Sequence, residues 1–121
     1  MPINLNDFNR MKRAFERNGG QIDQSDEMQR YLLTRQAEGV TFNSKLIGLI
    51  REPTRSAVFE EFIHTSQHRQ GKNSSADILQ NEIDTAEKLI RCRKAYRIPY
   101  EETRLTIRRL RQLRRYQYAE S

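Results

Sequence analysis

Apolar residues recur along this chain at helical spacing in several places and at strand-like density in one. Leu5, Phe8, Met11 and Phe15 fall three and four apart, which predicts an amphipathic helix that stops at Gly19-Gly20. Ser25 or Asp26 is placed to cap a second helix bearing Met28, Tyr31 and Leu32, with Gly39 ending it in the left-handed conformation. The pattern then changes. Val40-Thr41-Phe42 and Leu46-Ile47-Gly48-Leu49-Ile50 are short β-prone runs around Asn43-Ser44-Lys45, and they predict a hairpin or two small strands. A central helix follows from Pro53, as a first-turn proline, or from Thr54 as a cap, and runs to about Arg69.

After a polar loop over 71–75, Leu79, Ile83, Ala86 and Ile90 mark a helix that starts at Ala76 and ends before Pro99, because proline disfavours helical geometry in its predecessor. A last helix begins near Glu101 with Ile107, Leu110 and Leu113 on one side. The prediction is therefore a mostly helical α+β fold. It has four or five helices and a small two-stranded hairpin or sheet ahead of the central helix. At 121 residues this is one domain: a helical part over 1–39, the strand pair and central helix over 40–70, and C-terminal helices over 76–118.

Composition adds limits. Only 36% of residues are hydrophobic and 31% are charged, so the core must be thin and confined to amphipathic elements. A single cysteine, Cys92, excludes an internal disulfide and fits a reducing compartment. Its neighbours Arg91, Arg93 and Lys94 would favour a thiolate, but with no histidine nearby in sequence it reads as an ordinary helix cysteine. No apolar run approaches 18 residues and no apolar leader follows Met1, so the expectation is a cytoplasmic protein, or an effector delivered without a conventional signal peptide. The charge of +6 is uneven: residues 88–115 hold 11 Lys or Arg against Glu101 and Glu102, a net of +9, which leaves −3 for the rest. The Lys88–Arg115 block is suited to nucleic acid or to an acidic partner protein, or else is a solvated arginine-rich face.

The candidate chemistry gathers in one stretch, Glu60-Glu61-Phe62-Ile63-His64-Thr65-Ser66-Gln67-His68, which holds both histidines of the chain. At about 100° per residue Glu60, Glu61, His64, Gln67 and His68 share an arc of roughly 120°, with Val58, Phe59, Phe62 and Ile63 opposite. Glu60-Glu61-Phe62-Ile63-His64 differs from the His-Glu-x-x-His zinc motif only in its first residue. Residues four apart stack on successive turns and can share an ion, and the residue after the first ligand sits where it can deprotonate a water. Glu60 and His64 are then ligands and Glu61 the general base. Glu60 and His68 lie about 12 Å apart along the axis, too far to bind one ion together, so the pair is Glu60 with His64 or His64 with His68. The first leaves Glu61 in the base position and His68, with Gln67, Arg69 and Glu87, to support the ligands or contact substrate. The alternative for Glu60 and His64 is a helical salt bridge. A third ligand is Glu82, which falls inside the apolar arc of Leu79, Ala86 and Leu89, with Glu87 at its border. A carboxylate on a buried face needs a partner, an ion or one of the many arginines.

Two strand-like segments, Arg51 to His64, and then Asn81-Glu82-Ile83-Asp84-Thr85-Ala86-Glu87 together resemble a minimal zincin metallopeptidase, and more narrowly the zincin-like metallopeptidase toxin domains of bacterial polymorphic toxins. The resemblance covers roughly residues 40–97. It implies a zinc-dependent peptidase with His64 and Glu82 as ligands, Glu61 as base and Glu60 in the place of the first histidine. It also implies a strand, Lys45 to Ile50, along the substrate cleft, and a protein substrate or a cognate immunity protein as partner. Two other readings stand beside it. Glu61, His64, His68 and Arg69, with Lys72, could form a metal-independent nuclease site served by Tyr96, Tyr100, Tyr116 and Tyr118, or the chain could be a non-enzymatic basic helical binding module.

Overall fold

A computed structural model describes residues 1–120. In chain order the elements are α1 (Leu5–Arg17), β1 (Gln21–Asp23), α2 (Asp26–Thr34), β2 (Gly39–Asn43), β3 (Leu46–Leu49), α3 (Arg55–Arg69), α4 (Ile78–Arg91) and α5 (Tyr100–Glu120), with a 3-10 turn at Ser75–Asp77 leading into α4. The fold is mostly helical α+β, as the apolar pattern predicts, with five helices and one small sheet.

The sheet has three strands in the order β1-β3-β2. The hairpin of β2 and β3 is antiparallel and turns at Ser44-Lys45, where the Lys45 backbone N–H donates to Asn43 Oδ1 at 2.8 Å. The third strand, β1, pairs parallel with β3 from Gln21↔Leu46 to Asp23↔Gly48. The three residues of β1 are too few to show a period, so the strand is absent from the apolar pattern. Its consequence reaches the site: β3 is central and paired on both sides. The segment Lys45 to Ile50 therefore has no open edge to offer an extended peptide, and the edge at the site is β2.

Alternation along β3 sorts the layers. Ile47 and Leu49 face one side and join Ile22, Phe8 and Val58 in a buried cluster, where Phe15 meets Phe62 edge-on at 5.2 Å. Gly48 faces the other side against the side chain of Met28, so α2 covers that face. On the far side of α3 lie α4 and α5. Ile63, Leu89 and Ile98 form one cluster there, bordered by the stacked rings of Phe59 and Tyr96, and Ile83, Ala86, Leu110 and Leu113 form another between α4 and α5. The central helix α3 is thus sandwiched between the sheet and the C-terminal helices.

Its start is fixed by polar groups. Thr54 is the cap, accepting from the Ala57 N–H, and Pro53 lies one residue before it. Two carboxylates from elsewhere serve the same end: Glu38 accepts from the Thr54 N–H at 2.8 Å and Glu102 from the Ser56 N–H at 2.9 Å. Arg55 pairs with Asp7 of α1. Ser25, rather than Asp26, caps α2. Gly39 does not end that helix. The helix closes at Thr34 and Gln36 takes the left-handed conformation (φ 52°), while Gly39 opens β2 for a steric reason that belongs to the site.

Candidate metal centre

Glu60 and His64, one turn apart on α3, meet Glu82 from α4, and one ligand atom from each lies within 4.8 Å of the others. His64 Nε2 is 3.5 Å from Glu82 Oε1, while Glu82 Oε2 accepts from Arg109 Nη2 of α5 at 3.0 Å. The arginine expected as the alternative partner of Glu82 is present: it fixes one oxygen and leaves the other turned to the histidine. The packing of α4 against α3, through Leu89 beside Ile63 and through Asn81 and Thr85 on Gln67, brings Glu82 across.

The imidazole is oriented from behind. Gln67, 7% exposed, donates through Nε2 to Asn81 O at 3.1 Å and to Thr85 Oγ1 at 3.0 Å, and Thr85 itself donates to Asn81 O at 2.7 Å. Those two acceptors settle the amide's orientation, so its Oε1 faces His64 Nδ1 at 2.8 Å. An oxygen there demands a proton on Nδ1. Nε2 is consequently the ring nitrogen that faces the carboxylates, as the ligand nitrogen of a metal-binding histidine does. Thr85, 1% exposed, and Asn81 were not singled out as site residues from the sequence. A threonine on the apolar arc of a helix was the signal.

Glu61 lies 4% exposed beside this group, between α3 and β2. Thr41 Oγ1 donates to its Oε1 at 2.9 Å. A Cβ on Gly39 would come within 2.8 Å of Glu61 Cγ, 2.9 Å of its Oε2 and 2.9 Å of Leu49 Cδ2, so only glycine leaves room for this carboxylate against the strand. Burial pushes the Glu61 carboxyl up to about 8, helped by the charge of Glu60 and opposed by the Thr41 hydrogen bond. Glu60 is raised as well, by burial and then by Glu82, with His64 and Arg109 pulling the other way. Burial, reinforced by the neighbouring carboxylates, thus outweighs the nearby imidazole and guanidinium at Glu60. Such a donor set, two carboxylates and one imidazole, could hold a metal ion.

The site opens on a cleft of about 830 Å³ bounded by the β2 edge, α3, α4 and the start of α5. His68 and Lys72 line it, one turn or more beyond His64. Arg69 is exposed and lies outside the cleft lining, whereas Glu61, His64, His68 and Lys72 all line it. Glu87 is turned to Arg114 at 3.1 Å, on the flank of α5 away from the centre. Among the described residues no helix is long and apolar enough to cross a membrane. Compared with known proteins, the chain matches no family model, no curated protein and no solved structure.

Proposed function

We propose that this protein is a zincin-like metal-dependent peptidase, acting as a bacterial toxin or effector domain. The observation that carries the reading is the convergence of Glu60, His64 and Glu82 from two helices, with Glu61 alongside them and the His64 tautomer set by Gln67. Zinc held there would supply Lewis acidity at a water and at a scissile carbonyl. Two carboxylate ligands cancel the charge of the ion, so the proton acceptor has to be effective, and an ion's field would bring the raised Glu61 carboxyl down towards working pH. Glu61 then takes the proton of the attacking water and returns it to the departing amine. Thr41 and Gly39 hold its carboxylate in place, and the open edge of β2 beside it is the segment suited to align an extended substrate.

Metal analysis of the purified protein tests this. The expected result is about one zinc per chain, lost in His64→Ala and kept in His68→Ala, with cleavage of an unfolded polypeptide that chelator stops. Glu61→Gln should retain the metal and lose about 10²–10⁴-fold in kcat. Undiminished cleavage in chelator, or full activity in Glu61→Gln, defeats the reading.

A further inference from the structure

The cleft leaves most of α5 unused. Beyond Glu102 this helix carries six arginines and no acid before Glu120, and they divide into two sets. Arg109 and Arg114 flank the buried stripe of Thr103, Leu110 and Leu113 and pair across it with Glu82 and Glu87 of α4. Arg104, Arg108, Arg111 and Arg115 are exposed, and none of them makes an ion pair with a described residue. Their spacing of four, three and four places all four within an arc of about 60°, over about 16 Å of helix. This stripe turns away from Glu102, Leu105, Thr106 and Arg109, which face the cleft.

Like charges one turn apart destabilise a helix by about 0.2–0.5 kcal/mol per pair, and among the described residues no ion pair relieves this series. The same arc holds no aliphatic residue. A bilayer would need an apolar face to insert, whereas a phosphate backbone needs only guanidinium groups repeated about one turn apart, each able to grip a phosphate with two N–H groups. An acidic protein partner is separated from it by competition with polyglutamate. Tyr100, 75% exposed, lies within about 50° of the stripe at its N-terminal end, where an aromatic face can receive an unpaired base.

We infer that the outer face of α5, through Arg104, Arg108, Arg111 and Arg115, is a binding surface for single-stranded nucleic acid, separate from the metal centre. The test is fluorescence anisotropy of the full chain with a labelled 20-nucleotide single strand across a salt series. Neutralising four phosphates gives a log–log salt slope of about −2.8, so affinity should fall roughly 50-fold between 50 and 200 mM salt. Replacing all four arginines by glutamine should cost tenfold or more in affinity at 50 mM and flatten the slope, with helical circular dichroism retained because glutamine favours the helix. Arg13→Gln with Arg30→Gln, which removes two exposed arginines elsewhere, should leave affinity within about twofold. An unchanged slope in the quadruple variant overturns the inference. So does an equal loss in the Arg13/Arg30 variant, tighter binding to a 20-base-pair duplex, or equal competition by polyglutamate or phosphatidylserine vesicles.

Discussion

Both α3 and α5 are rich in charge, yet they use it in opposite ways. In α3 six of fifteen residues are buried, among them Glu61, Thr65 and Gln67, and its polar groups have named partners: Thr41 for Glu61, Gln67 for His64, Asn81 and Thr85 for Gln67. In α5 only Thr103, Leu110 and Leu113 of twenty-one residues are buried, and a stripe of four arginines has no described acid facing it. Burial is what separates the two. Inside the sandwich an unpaired polar group costs about 1–3 kcal/mol, so position and partner are both dictated, whereas on the solvated face of α5 a charge tolerates having none.

That contrast can be broken at four points. The largest effect on stability belongs to Glu61. Its folded carboxyl titrates at about 8 and an unfolded one near 4.5, so the folded state holds the extra proton between those values and stability falls as pH rises through them. In metal-free protein Glu61→Gln removes this penalty. The variant should exceed the wild type by a few kcal/mol at pH 8 and converge with it by pH 5, read from denaturant midpoints at the two values. An equal difference at both would show that burial does not set the titration. Next comes Gly39→Ala. Its Cβ displaces the Glu61 side chain, and a shift of about 1 Å at a reacting group costs on the order of 10²-fold, so kcat should drop while bound zinc stays. Loss of zinc together with activity would mean that the strand supports the ligands rather than the base.

Gln67→Ala frees the His64 ring to take either tautomer, and metal affinity should weaken about 10–100-fold in a competition titration with a coloured chelator. Unaltered affinity would remove Gln67 from the site. The smallest effect is expected in α5, where Arg108→Gln should change thermal stability by less than about 0.5 kcal/mol, and in the stabilising direction. A loss above 1 kcal/mol would reveal a hidden partner and erase the difference between the helices.

Much of this was legible in the chain and some was not. The helices announced themselves because Leu5 to Phe15 and Leu79 to Ile90 keep the helical period, and Thr54 and Ser25 are side chains that satisfy free N–H groups at a helix start. The stacking of Glu60 on His64 followed from the same period. Glu82 was legible as an acid on an apolar arc. The strand β1 was not, since three residues hold no period, and the role of Lys45 to Ile50 was misjudged for that reason: a strand read as half of a pair became the middle of three. Gly39 was misplaced because a glycine looks the same in sequence whether it supplies a left-handed turn or space for a neighbour.

The helices, the hairpin, and the face of α3 on which acids and imidazoles gather are written locally in the chain, because each depends on contacts within a few residues. The tertiary structure alone decided which strand borders the cleft, that Glu82 arrives with Arg109 attached, and that Thr85 and Asn81 orient His64 through Gln67. Those choices depend on residues 14 to 27 positions apart being packed together, and no local periodicity encodes that distance.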